Sequence, residues 1–220
     1  MRLAPLLSLV LLFLLVVGVG TFVERRATAD GGALASWAEA KKGKVSGRLT
    51  FSHKRPAQEI VIYLEPKGAA WTFEAPAPVT IRQQGARFEP PFNVIVTGQK
   101  VTFLNDEVRE IDHNVYTLGA EEKDFDIFGK GESRDHVFAK PGEVYVHCSI
   151  HKFMDGKIFV APVPAFDVIA GTDETFEIDG VAAGSYVLRT YQRAKRFHDA
   201  EIAVTVTADK ESKVTVEMNR

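Results

Sequence analysis

The chain has 220 residues, 45% hydrophobic and 10% aromatic, enough for a substantial core in one or two domains. Its 27 lysines and arginines stand against 29 aspartates and glutamates, with no basic stripe able to track a phosphate backbone, so nucleic acid is not expected as a partner. A single cysteine cannot close an internal disulfide, which rules out a disulfide-stapled scaffold.

The first element is MRLAPLLSLVLLFLLVVGVGTFV, uncharged from Leu3 to Val23. At ~1.5 Å per residue this run is about as long as a membrane span and longer than the usual apolar centre of a removable signal, so one N-terminal apolar helix that anchors the chain is predicted. Ala27, Thr28 and Ala29 offer a small-residue cleavage site, which makes a cleaved signal over residues 1–29 the alternative. Arg2 on one side and Arg25 and Arg26 on the other leave the orientation open to the charge rule; the body beyond is placed in a periplasmic or other extracytoplasmic compartment. Residues 30–42, DGGALASWAEAKK, are small and polar and read as a tether with at most a short helix around Ala33 to Lys41.

Beyond the tether the pattern is that of strands. Short runs of β-formers cover Val45 to Phe51, Ile60 to Leu64, Phe92 to Val96, Val101 to Leu104, Asn114 to Leu118, Val144 to Cys148 and Lys157 to Val160. Four more follow at Thr175 to Ile178, Tyr186 to Tyr191, Ile202 to Val206 and Lys213 to Glu217. Polar, Gly- and Pro-bearing loops separate them, and no amphipathic helical pattern competes, so an all-β sandwich or barrel architecture is predicted.

The stretch YVHCSIHKFM, residues 145–154, holds the only cysteine, two histidines and a methionine. A lone cysteine is commonly a small buried hydrophobe and methionine a gap-filler, but thiolate, imidazole and thioether together are the donor set that suits copper. In the strand entered at Pro141-Gly142, Val144, Val146 and Cys148 share one face, so Cys148 points inward while Tyr145 and His147 face the surface. A tight loop over Ser149 to Met154 can bring Cys148, His151 and Met154 round one ion, and His113, where the chain re-enters a strand after a polar loop, can supply the missing imidazole. Two histidines, a thiolate and a weak axial thioether form an electron-transfer copper set, whereas a zinc site would usually close with cysteine, histidine or a carboxylate. A catalytic cysteine would need a base and an oxyanion site, and a binuclear copper centre a second cysteine; neither motif is present. His53, His136 and His198 stand in polar contexts and are expected to be solvated.

These residues resemble the cupredoxins, and the Cys-x-x-His-x-x-Met spacing of HCSIHKFM is that of amicyanin, although Ile150 stands where amicyanin has proline. The pairs His113-Asn114 and Cys148-Ser149 also match, and the resemblance implies that the Asn114 and Ser149 side chains tie the two ligand loops together. FEPPFNVIVTGQKVTFLND resembles the family's strand, turn and strand ahead of the first ligand. The resemblance covers roughly residues 75–162.

The flanking segments resemble another module. GKVSGRLTFSHKRPAQEIVIYLEPKG is similar to the opening strands of carboxypeptidase regulatory-like, or transthyretin-like, β-sandwiches, and TDETFEIDGVAAGSYVLRTYQ with IAVTVTADKESKVTVEMN to their closing strands. Gly184-Ser185-Tyr186 stands as the module's Gly-x-Tyr signature. The expected domains are therefore a sandwich of residues 43–68 and 164–220 interrupted by a cupredoxin domain of residues 70–162. The arrangement resembles bacterial periplasmic plastocyanin-like or methylamine-utilisation proteins.

The protein expected from these residues is non-enzymatic and membrane-anchored, with one type 1 copper ion. It is expected to pass single electrons between redox protein partners, without a small-molecule substrate. His151 is expected nearest the surface, and Phe128 and Phe153 are expected to shield the metal from water. A copper-delivery module and a non-redox β-sandwich interaction protein are the alternative readings.

Overall fold

The computed structural model describes residues 34–68 and 70–220, and the predicted N-terminal anchor or signal lies outside the described residues. Among the described residues there is no α-helix; the fold is all-β.

Two sandwiches are built from separate stretches of chain. In the first, a five-stranded sheet has the spatial order Lys123–Phe128, His113–Gly119, Gly142–His147, Asp155–Ala161, Phe92–Val96. It faces a four-stranded sheet ordered Ser133–Val137, Lys100–Asn105, Val79–Gln83, Phe88–Glu89. Alternation sends Val101, Phe103, Val115, Val144, Val146, Ile158 and Val160 into the space between them, where Phe88, Phe128 and Phe138 complete the core. The pairing of Phe92–Val96 with Asp155–Ala161 is parallel, so these two strands are joined by a long crossover rather than a hairpin.

The second sandwich pairs a four-stranded sheet (Phe166–Ile169, Ile60–Pro66, Gly184–Gln192, Glu201–Val206) with a three-stranded one (Thr175–Ala182, Lys42–Phe51, Glu211–Met218). Val45, Leu49, Ile60, Ile62, Leu64, Tyr186, Leu188 and Val216 form its core. Gly47 sits in the middle strand of the smaller sheet, where a Cβ would lie 1.9 Å from the Val214 carbonyl oxygen and 2.7 Å from the Phe176 ring; no side chain fits.

The two sandwiches meet sheet to sheet. IVIYL, residues 60–64, is apolar at every position because both of its faces are covered: Ile60, Ile62 and Leu64 face the second core, while Val61 and Tyr63 join a separate buried cluster with Phe159, Ala161 and Tyr191. The Phe159 and Tyr191 rings stack with centroids 4.4 Å apart, and Tyr63 lies 4.9 Å from Phe159. Beside this cluster the Lys157 ammonium bonds to Glu143 at 2.6 Å and reaches the Arg193 carbonyl of the other sandwich at 3.1 Å.

Part of the predicted tether is not a tether. Ala35–Ser36 pairs in parallel with Trp71–Thr72, and Trp37 is buried edge-on against Trp71, centroids 5.4 Å apart, and against Tyr186 at 6.4 Å. A large aromatic ring next to an unfilled sheet end gains more by burial than the surrounding small residues lose in freedom. Trp71 and Phe73 also pack against the second core, although residues from 70 onward are expected to belong to the other domain.

Candidate metal centre

Cys148 directly follows the Gly142–His147 strand and keeps the inward parity of Val144 and Val146, so the residue is only 8% exposed. Its N–H donates to the Met154 carbonyl at 3.2 Å, closing the loop between them. His113 opens the neighbouring His113–Gly119 strand opposite Phe128 and is fully buried. His151 lies in the loop and is half-buried.

These three side chains converge. Cys148 Sγ lies 3.9 Å from His113 Nδ1 and 3.8 Å from His151 Nδ1, and the three donor atoms all lie within 4.8 Å of one another. The two imidazoles are tilted by 57° with centroids 4.8 Å apart. Met154 is buried and belongs to the same core cluster as Cys148. A soft sulfur and two imidazole nitrogens this close together fit copper better than a hard cation.

A carboxylate that sequence reasoning missed orients the first histidine. His113 Nε2 lies 2.9 Å from Glu107 Oε1, with both side chains buried. The carboxylate places the proton on Nε2 and leaves the Nδ1 lone pair turned towards Cys148. Burial pushes the Glu107 carboxyl up, but hydrogen bonds from His113 and from the Ala86 and Gly85 amides outweigh it and hold it below the usual glutamate value. Asn105, also buried, fixes the loop: its Oδ1 accepts from Glu107 N–H at 3.3 Å, and its Nδ2 donates to the Ile111 and Phe128 carbonyls at 2.8 and 3.1 Å.

Asn114 ties the ligand loops together, but not to the Ser149 side chain. Its Oδ1 accepts from the Ser149 backbone N–H at 3.2 Å, while its Nδ2 donates to Asp124 Oδ1 at 2.8 Å and to the Asp126 carbonyl at 3.2 Å. Phe153, expected to shield the metal, is 92% exposed on a residue of φ +66°; Phe128 is buried as expected. His147 points away from the cluster and bonds to Asp155 at 2.7 Å. His136 is not simply solvated: it bonds to Glu121 at 2.5 Å and stands edge-on to Phe138.

Comparison with known proteins finds likeness in structure only. No family model matches the chain, and no curated protein does. Among solved structures, a purple cupredoxin from Nitrosopumilus maritimus is 22% identical over 38% of this chain and 99% of its own, with a TM-score of 0.34. A reduced amicyanin variant is 25% identical over 38% of this chain and 81% of its own, at 0.33. The copper-containing nitrite reductase of Thermus scotoductus is 28% identical over 52% of this chain, at 0.38, and the match spans only 28% of that enzyme.

Residues 79–161 form the two-sheet β-sandwich that carries His113, Cys148 and His151, and cupredoxins are among the structures to which the chain is similar. The expectation that it is not an enzyme does not stand, because the similar structures include that nitrite reductase.

Proposed function

We propose that the chain is a one-copper, type 1 electron-transfer protein, working outside the cytoplasm between redox protein partners and held to the membrane by its N-terminal segment. His113, Cys148 and His151 are the strong ligands in this reading and Met154 the weak axial one. The observation that carries it is the convergence of one donor atom each from His113, Cys148 and His151 within 4.8 Å, with two of the three residues buried. Copper bound there supplies exchange of one electron between its cuprous and cupric states.

The protein's part is to hold the donors still. Glu107 fixes the His113 ring, and Asn114 fixes the start of the ligand loop against the 124–126 turn. The Cys148–Met154 backbone bond fixes the loop's far end. Donors braced in this way change position little between oxidation states, which favours electron exchange over metal release. His151 is the more exposed imidazole and is the proposed electron exit. Val108, Ile127, Ile150 and Phe153, on loops and strand ends flanking the ligands, are exposed apolar side chains suited to docking a partner over that histidine. The second sandwich, residues 43–68 and 164–220, is proposed as a discontinuous transthyretin-like scaffold carrying the copper domain.

Cyclic voltammetry of the copper-loaded protein with a copper chelator present tests the electron-transfer reading. Reversible cycling without metal loss is expected. Loss of copper at each reduction would favour a delivery role.

A further inference from the structure

At one end of the second sandwich, the loop after Phe51, the loop after Gln192 and the chain's last residues meet. Backbone bonds join them: His198 N–H donates to the Asn219 carbonyl at 2.8 Å and Ser52 N–H to the Met218 carbonyl at 3.1 Å. Between them lies a cleft of about 440 Å³ lined by Lys54, Arg55, Arg196 and Arg220 with Pro56, Ala57 and Gln58, and by no acidic side chain. An adjoining cleft shares Lys54 and Arg55 and brings in one carboxylate, Glu174. In a chain whose formal net charge is −2, four cationic side chains round one cleft, against the single α-carboxylate that Arg220 carries, are a local concentration, not a reflection of composition.

Nearby cations are paired; these are not. Arg193 pairs with Glu59 at 3.6 Å and Lys195 with Asp199 at 3.8 Å, whereas Lys54, Arg55, Arg196 and Arg220 take part in no ion pair among the described residues. Two of the guanidiniums are also held in place. Arg55 lies 5.8 Å from the centre of the Phe51 ring and Arg220 lies 5.9 Å from that of Phe197, and the two rings meet edge-on at 5.5 Å. Arg55 Nη1 donates to the Pro56 carbonyl at 3.2 Å, but its Nε and Nη2 are buried and meet no protein acceptor. Aromatic contacts that hold two guanidiniums beside a cleft reduce the ordering cost of binding a ligand there.

We propose that this cleft binds a multiply charged phosphate group, either on a free phosphorylated compound or on a phospholipid head. A single carboxylate would neutralise one of the four cations, whereas a phosphomonoester carries about two charges and three acceptor oxygens that match guanidinium forks.

The test is calorimetric titration of the full-length protein in neutral detergent with glycerol 3-phosphate and, separately, with dihexanoyl phosphatidate, which carries the same headgroup on short acyl chains. Saturable binding at one site is expected, weakened about tenfold or more in Arg55→Gln and in Arg196→Gln, since a charge-assisted hydrogen bond is lost in each. Lys54→Gln, on an exposed side chain, should weaken it too, and guards against misfolding of the Arg55 variant. Tighter binding of the phosphatidate assigns the site to a lipid head, and equal or weaker binding to a free phosphorylated compound. No saturable heat with either probe, or heat unchanged in all three variants, would overturn the proposal.

Discussion

The Nε2 of His113 is held 2.9 Å from the Oε1 of Glu107, and neither side chain is open to solvent. The carboxylate therefore acts on the centre through the histidine, by fixing which nitrogen is free. Glu107→Ala should lower copper affinity about 10- to 100-fold while Glu107→Gln, which keeps an acceptor oxygen, recovers most of it. Competition against a chelator of known affinity measures both; equal affinity in Glu107→Ala and the parent would remove Glu107 from the account.

The Glu143–Lys157 pair at the junction of the sandwiches gives a pH dependence. Burial pushes the Glu143 carboxyl up, but the Lys157 ammonium 2.6 Å away, together with the Tyr191 and Tyr145 hydroxyls, more than offsets this and holds it below its ordinary value of 4.5. A carboxyl depressed by folding contributes stability above its unfolded pKa and loses that contribution as pH falls through the lower folded value. Parent and Glu143→Gln should thus differ in stability at pH 6, and the difference should shrink as pH falls below the ordinary value and through the lowered folded value of Glu143. A difference independent of pH would show that the loss is one of packing, not charge.

Trp37 supplies a test of the N-terminal edge. It is buried against Trp71 and Tyr186, and the Lys42 ammonium lies 4.7 Å from the centre of its ring. Trp37→Ala should cost about 3 to 5 kcal/mol in chemical denaturation. A loss under about 1 kcal/mol would mean that the segment is peripheral to the core.

The Cys148 face, the valine alternation and the doubly apolar Ile60–Leu64 run were legible because strand parity acts over a few residues. Relations between distant residues were not. Trp37 finds Trp71 far along the chain, and Glu107 is one of four acids in NDEVREID that only the folded loop tells apart. Asn114 and Ser149 were the right pair, but the bond uses the Ser149 backbone N–H, which no side-chain pattern reveals. Strands such as Lys123–Phe128 and Ser133–Val137 went unread because most of their positions are exposed or polar, so alternation is faint. Phe153 is expected to shield the metal, yet the loop takes a positive φ there and leaves the ring in solvent.

We infer that the second sandwich folds without the first. Its core draws on Val45, Leu64, Leu188 and Val216 and on no residue of the 79–161 stretch. Replacing residues 74–162 with a short Gly/Ser linker should leave a domain that unfolds cooperatively, at reduced stability because Val61, Tyr63 and Tyr191 lose their cover. Absence of a cooperative transition would make the two sandwiches one folding unit.

The visible absorption spectrum of the copper-loaded protein, with Cys148→Ser beside it, tests the central claim most directly. One copper per chain bound through the Cys148 thiolate with two imidazoles in a trigonal site gives intense visible absorption, and the serine variant loses it. A colourless parent that binds copper, or a serine variant that keeps the colour, would contradict the assignment of His113, Cys148 and His151 as the electron-transfer centre.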